Sequence, residues 1–200
     1  LIVTKMLKLW KKSFLKVEKI EVFSLRALFL PQKLLNCYVK LNRKNIKIAI
    51  VMGSNSDYSV MKMAEKILKT LKIEYDTKIV SAHRTPQRMD EFAKSAHKKY
   101  KVVIAGAGGA AHLPGMISSL TNLPVIGVPI ETKSLKGLDS LLSVVQMPKG
   151  IVTATVAINN AMNAGLLAAQ IVALLNNEIK KNLERFRVKQ TKSIKINPKK

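Results

Sequence analysis

Three short stretches of this 200-residue chain carry residue types that could do chemistry, and each follows an apolar run. The first is Gly53-Ser-Asn-Ser-Asp57, the second Ser81-Ala-His-Arg-Thr-Pro86, the third Gly106-Ala-Gly-Gly-Ala-Ala-His-Leu-Pro-Gly115. A histidine such as His83 belongs to the one side-chain class that titrates near neutrality, so it can move a proton in either direction. The forked donors of Arg84 suit a phosphate. Gly106, Gly108 and Gly109, separated only by Ala107, leave peptide N–H groups open to a ligand just before a helix start marked by Pro114, where negative charge is favoured. Alone, His83 would read as a structural histidine, Arg84 as a solvated charge and the glycine run as a tight turn. Three such stretches at the carboxyl ends of strands instead describe the crevice in which open parallel sheets hold ligands, here a small anionic one.

The elements that must position them follow from periodicity. Strands are expected at Ile46 to Met52, Tyr75 to Val80, Val102 to Ala105, Val125 to Val128 and Ile151 to Ala157, as short apolar runs suited to a sheet buried on both faces. Between them, Val60, Met63, Ala64, Ile67, Leu68 and Leu71 recur at helical spacing and form a core-facing stripe. Thr85 and Pro86 cap and start a helix running to about Lys99, and short helices are expected over Leu113 to Leu120 and Leu138 to Val145. Glu131 to Gly137 reads as a mobile loop. The longest helix is expected from about Asn160 into the 170s, its alanines packing on the sheet or on another subunit. The βαβαβαβ order predicts an α/β three-layer sandwich with a parallel sheet of about five strands, flavodoxin-like or Rossmann-like.

The formal charge of +23 suggests a nucleic-acid binder until it is mapped. Residues 1–45 hold 11 Lys/Arg against 2 acids, 181–200 hold 8 against 1, and the middle holds 16 against 9. Basic termini bind polyanions without specificity, whereas the mildly positive middle suits a phosphorylated small molecule. The lone Cys37 provides neither a disulfide framework nor a cysteine metal site, and a reducing cytoplasm fits. His83, His97 and His112 lack the spacing of a helical zinc motif, so no metal is expected. His97 reads as an exposed residue near a helix end; His112 could line the pocket or bond to the loop backbone. The leader, residues 1–45, contains the apolar clusters Met6 to Trp10 and Val22 to Leu30, the latter split by Arg26 and too short to span a bilayer. It reads as a dispensable or disordered extension, or a start placed ahead of Met6, rather than as an amphipathic targeting segment. The catalytic domain is then 46–180, followed by a basic helix end and a solvated, disordered tail after about Lys189.

Four segments together carry a resemblance: Met52-Gly-Ser-Asn-Ser-Asp57, Ser81-Ala-His-Arg-Thr-Pro86, Gly106 to Gly115, and Leu138-Asp-Ser-Leu-Leu-Ser-Val-Val-Gln-Met-Pro148. In that order, over about Ile46 to Lys180, the chain resembles the PurE family, the N5-carboxyaminoimidazole ribonucleotide (N5-CAIR) mutases of purine biosynthesis. The resemblance implies a carboxylate migration that needs no cofactor and no metal. It implies that Ser54 and Arg84 hold the 5′-phosphate with Ser56 nearby, and that Asp57 holds ribose hydroxyls. Ser81, His83 and the backbone of Gly106, Ala107, Gly108 and Gly109 through His112 would surround the imidazole and the migrating carboxylate, with His83 as the acid/base. A homo-octamer is implied as well. Val152 stands where the family usually has proline, and Ala157 to Gly165 is shorter than usual, with asparagines in place of a Gly-Lys pair.

Other readings use the same residues differently. Direct carboxylation of aminoimidazole ribonucleotide by CO2 is a sister activity. A dinucleotide-binding oxidoreductase would use Gly106, Gly108 and Ala111, with Glu131 on the ribose, but gives Pro114 and the Ser54 loop no role. A basic nucleic-acid-binding protein would lack aromatic platforms in its core.

Overall fold

A computed structural model describes residues 46–197. The leader's apolar clusters, Cys37 and every reading of residues 1–45 lie outside the described residues. Five strands, β1 (Lys47–Met52), β2 (Glu74–Ile79), β3 (Val102–Gly108), β4 (Val125–Ile130) and β5 (Ala154–Thr155), form one sheet in the order β2-β1-β3-β4-β5 with every pair parallel. That is the flavodoxin-like order, and the direction of winding reverses between β1 and β3. The three central strands are apolar and almost wholly buried, as a sheet covered on both faces requires.

Alternate residues of these strands feed two cores. Ile48, Ile50, Met52, Ile104, Ile126 and Val128 face α1 (Tyr58–Thr70), α5 (Ala161–Ala173) and α6 (Asn177–Ser193). Ala49, Val51, Val103, Ala105 and Val125 face α2 (Pro86–Ser95), α3 (Leu113–Leu120) and α4 (Leu138–Val145). Each fully buried Val, Leu or Ile is worth roughly 1.5–3 kcal/mol of transfer free energy, so these two faces, rather than helix propensity, hold the layers together.

Several boundaries differ from expectation, each for a packing reason. Met61, not Val60 or Met63, is the fully buried residue of α1's first turn, because the helix docks where Gly106 leaves room: a Cβ on Gly106 would collide with Met61 Sδ. β3 runs on to Gly108, pairing with β4 as far as Ile130. β5 shrinks from the expected seven residues to Ala154–Thr155 at the sheet edge, where Val152 is exposed. The small residues of α5, Ala161, Ala164 and Ala168, pack within the chain against α1 rather than remaining free for another subunit. The longest helix is α6, not α5; buried Ile179 and Leu183, with Asn182 Nδ2 donating to Leu71 O at 3.0 Å, dock its first half, and it stays helical to Ser193, beyond the expected start of a disordered tail.

At the rim opposite the candidate ligand loops, Asp76 of β2 takes Lys47 Nζ and Lys99 Nζ at 2.6 Å each and the Tyr100 hydroxyl at 2.8 Å. Burial by itself raises the Asp76 pKa, but the bonds from Lys47, Lys99 and Tyr100 outweigh it and hold the carboxyl well below its ordinary 3.8. Burial and the Asp76 carboxylate push the Tyr100 phenol up. A carboxylate whose folded pKa is depressed stabilises the fold above its unfolded value and loses that contribution as pH falls through the folded one. Asp76→Asn should therefore cost roughly 1–2 kcal/mol at about pH 7. In urea titrations, the gap from wild type should narrow progressively below about pH 4.

Candidate active site

The four loops that leave the carboxyl ends of β1 to β4 meet at one rim, and hydrogen bonds tie them together. After β1, Ser54 caps a single 3₁₀ turn, Asn55–Asp57, in a capping box. Ser54 N donates to Asp57 Oδ2 at 3.0 Å, Ser56 N donates to Ser54 Oγ at 3.2 Å, and the Ser56 hydroxyl donates to Asp57 Oδ1 at 3.2 Å and also meets the Ser54 hydroxyl. Two hydroxyls and a carboxylate are thereby preset at the start of α1, with Ser54 and Asp57 partly exposed and Ser56 exposed.

After β2, Val80 N donates to Met52 O at 2.8 Å and continues the pairing with β1, so the next residues emerge beside the Ser54 loop. Arg84 bridges the two loops: a terminal guanidinium nitrogen donates to Gly53 O at 2.7 Å, and Nε donates to Ser81 Oγ at 3.4 Å. Ser81 Oγ also accepts Arg84 N at 3.2 Å. Ser81, buried to 7% exposure, thus orients the guanidinium while leaving other guanidinium donors for a ligand. Thr85 occupies the N-cap position of α2 but makes no side-chain cap bond; its hydroxyl instead accepts Ser81 N at 2.9 Å and donates to Ser81 O at 3.0 Å, closing the loop on itself.

After β3 the open stretch is shorter than the glycine count implies. Gly106 and Ala107 are buried inside the strand, and Gly106 serves the close approach of Met61. Gly108 and Gly109 are partly exposed and Ala110 is exposed. Gly109 turns the chain at φ +66°, in the left-handed region that glycine adopts freely. Its N–H is already given to Ser140 Oγ of α4 at 2.8 Å, so it is not one of the free amides expected from the glycine run. Ala111 is fully buried, and α3 begins at Leu113 with Pro114 in its first turn.

His112 bonds neither to the loop backbone nor to solvent alone. Its Nδ1 lies 2.8 Å from Nε2 of His83, the rings edge to face at 80°, and both side chains are exposed at the rim. One of these nitrogens must carry the proton and the other accept it, so the pair can hand a proton across the gap between two loops. His97 sits apart, exposed in the 3₁₀ turn that follows α2.

The loop after β4 is fastened rather than loose at both ends. Glu131 N donates to Asn159 Oδ1 and Asn159 Nδ2 to Glu131 Oε2, each at 2.9 Å, and the Thr132 hydroxyl donates to Asp139 at 2.9 Å. Lys133 to Lys136 between these ties are exposed. With one Glu131 carboxylate oxygen bonded to Asn159 and Gly106 sealed under Met61, two of the residues a dinucleotide site would use are engaged elsewhere. Sequence did not assign roles to Ser140 and Asn159, and it read Thr85 only as a helix cap, since what these side chains do depends on which backbone groups the fold brings to them. Among the described residues no group of three or more His, Cys, Asp or Glu has the geometry to hold a metal ion.

The sequence and the fold have known relatives. A family model described as AIR carboxylase matches residues 47–193. The N5-carboxyaminoimidazole ribonucleotide mutase of Thermotoga maritima is 54% identical over 149 residues, 74% of this chain and 87% of that protein. The one of Pyrococcus horikoshii is 59% identical over 140 residues, 70% and 79% of the two chains. A crystal structure of Treponema denticola PurE superimposes with a TM-score of 0.68 at 29% identity, covering 74% of this chain and 93% of that one. The loops joined through His83, Arg84 and Gly109 therefore sit on a fold and a sequence shared along most of the chain, which belongs to the AIR carboxylase (PurE) family.

Proposed function

We infer that the protein is an isomerase that converts N5-CAIR to CAIR, moving a carboxylate from the exocyclic N5 to ring carbon 4 of an aminoimidazole ribonucleotide. The observation that carries this is the 2.8 Å His83–His112 pair beside the Arg84 bridge, in a chain 54% and 59% identical, over 74% and 70% of its length, to proteins named as this mutase.

The residues divide the work. Ser54, Ser56 and Arg84 bind the 5′-phosphate, which the preset hydroxyls and the remaining guanidinium donors suit. Asp57, whose carboxylate keeps lone pairs beyond its two bonds, takes ribose hydroxyls. The imidazole of the substrate lies against Gly108, Gly109 and His112, above Ser81 and the buried wall of Gly106 and Ala107. His83 in its protonated form gives a proton to N5 as the N5–carboxylate bond breaks, releasing CO2 and neutral aminoimidazole ribonucleotide. Ring carbon 4 attacks the trapped CO2, and the now neutral His83 removes the proton from that carbon, restoring the aromatic ring and its own starting state. Atoms and charge balance over the cycle, and no cofactor enters it. Small side chains around the ring keep water from the carboxylate and CO2 from escaping.

The catalytic domain spans 46–180, and the leader is dispensable. The enzyme works in the cytoplasm; no helix of the described residues is long and apolar enough to cross a membrane. It assembles as a homo-octamer, and a subunit contact is supported by α4, whose Leu138, Leu142 and Val145 are 52%, 44% and 51% exposed in one chain. Direct carboxylation of aminoimidazole ribonucleotide is the second reading, favoured by the description of the family model.

Offered N5-CAIR alone, or aminoimidazole ribonucleotide with bicarbonate, the purified protein should turn over the first far faster; faster carboxylation of the second would assign the sister activity. His83→Asn should lower kcat by at least about a thousandfold while ribonucleotide still binds in calorimetry, and retained turnover would remove His83 from the proton transfers. Arg84→Ala should raise KM by about ten- to a hundredfold with a smaller change in kcat, and an unchanged KM would count against phosphate binding there.

A further inference from the structure

Two polar side chains are buried in the core of the described residues, Ser81 and Ser140. Ser81 is explained by Arg84. Ser140, with no exposure at all, lies on α4, a helix outside the ligand loops themselves. Its hydroxyl donates to Ile130 O at 2.6 Å and accepts Gly109 N–H at 2.8 Å. It is a crossbar from the last residue of β4 to the residue that follows β3. A serine inside a helix commonly returns its hydroxyl to the carbonyl four residues back, as Ser143 does to Asp139 at 2.8 Å. Ser140 makes no such bond; both of its partners are the ends of neighbouring strands.

That has a consequence for the glycine-rich loop. A trans peptide is planar, so turning Gly109 N–H toward α4 turns the carbonyl of Gly108 away from it. Between two glycines, and with Gly109 at positive φ, few steric barriers oppose the reverse orientation. The pairing of Gly108 with Ile130 is the last of the ladder, and beyond it the loop's other contacts hold Gly109 only weakly. Ser143 meets Gly109 O only at 3.4 Å, and the far end is anchored separately, by buried Ala111 and Leu113. Three residues beyond Gly109 stands His112, whose ring must reach His83.

We propose that Ser140 is a positioning residue: its hydroxyl holds the Gly108–Gly109 peptide in one orientation and so sets residues 109–112 to present His112 to His83. The proposal rests on the mutase reading of this site. Its action is on kcat, because the phosphate loop of Ser54 and Arg84 is built by bonds that do not involve α4.

The test uses the full chain with Ser140→Ala, which removes both bonds, and Ser140→Cys, which keeps the volume but bonds weakly. Expected are a fall in kcat of about ten- to a hundredfold in Ser140→Ala and a smaller one in Ser140→Cys, with KM changed less than about twofold. Hydrogen exchange at the Gly109 amide should accelerate at least about tenfold in Ser140→Ala, and the imidazole nitrogen signals of His83 and His112 should shift. Wild-type kcat in both variants, or an unchanged Gly109 amide, would overturn the proposal. So would a loss of activity that only follows a loss of folded protein in circular dichroism. If wild type itself fails to turn over N5-CAIR, the functional reading falls, and the exchange and imidazole measurements, which need no turnover, still decide whether Ser140 sets the loop.

Discussion

Everything at this site depends on parallel pairing between β1 and β3, which lays Met52 beside Gly106 and brings the ends of two central strands out at the same height. A parallel sheet sends every strand's exit loop to one rim. With β2 paired outside β1 and β4 outside β3, four loops from distant parts of the sequence become neighbours without any of them needing length. Burial holds that pairing in place: alternate residues of β1, β3 and β4 enter two separate cores, so a slip of register by one residue would exchange them wholesale.

On that frame the site is assembled largely from main chain. Arg84 is steered by the carbonyl of Gly53, Thr85 closes on the backbone of Ser81, and Ser140 joins the backbone of Ile130 to that of Gly109. Such bonds fix loops by atoms present at every residue, which leaves the His83–His112 pair exposed at the rim. The division of charge follows the same logic. Asp76 with its two lysines and Tyr100 fastens the opposite rim, so the strongest ion pairing among the described residues is kept away from where an anionic ligand would bind.

Much of this was legible in the sequence because it is local. The continuous apolar runs of β1, β3 and β4 announce buried parallel strands, and the segments around Ser54, His83 and Gly106 carry their turn and cap chemistry with them. What was not legible depends on neighbours. Gly106 reads as open backbone until Met61 is found against it. Thr85 reads as a helix cap because its preference for closing the Ser81 loop is set by a backbone four residues earlier. β5 reads as seven residues because its apolar letters do not reveal that the strand lies at the edge. α4 is the sharpest case, with Leu138, Leu142 and Val145 outward and Ser140 inward beside Val144. Its inward serine answers to two strand ends that the sequence alone does not bring beside it.

The most direct test of convergence on one ligand is a crystal structure of the protein with aminoimidazole ribonucleotide bound. The account predicts phosphate oxygens within about 3.2 Å of Ser54 and the Arg84 guanidinium, with ring carbon 4 against His83 and His112. A ribonucleotide seated with its phosphate away from Arg84, or its ring out of reach of His83, would contradict it.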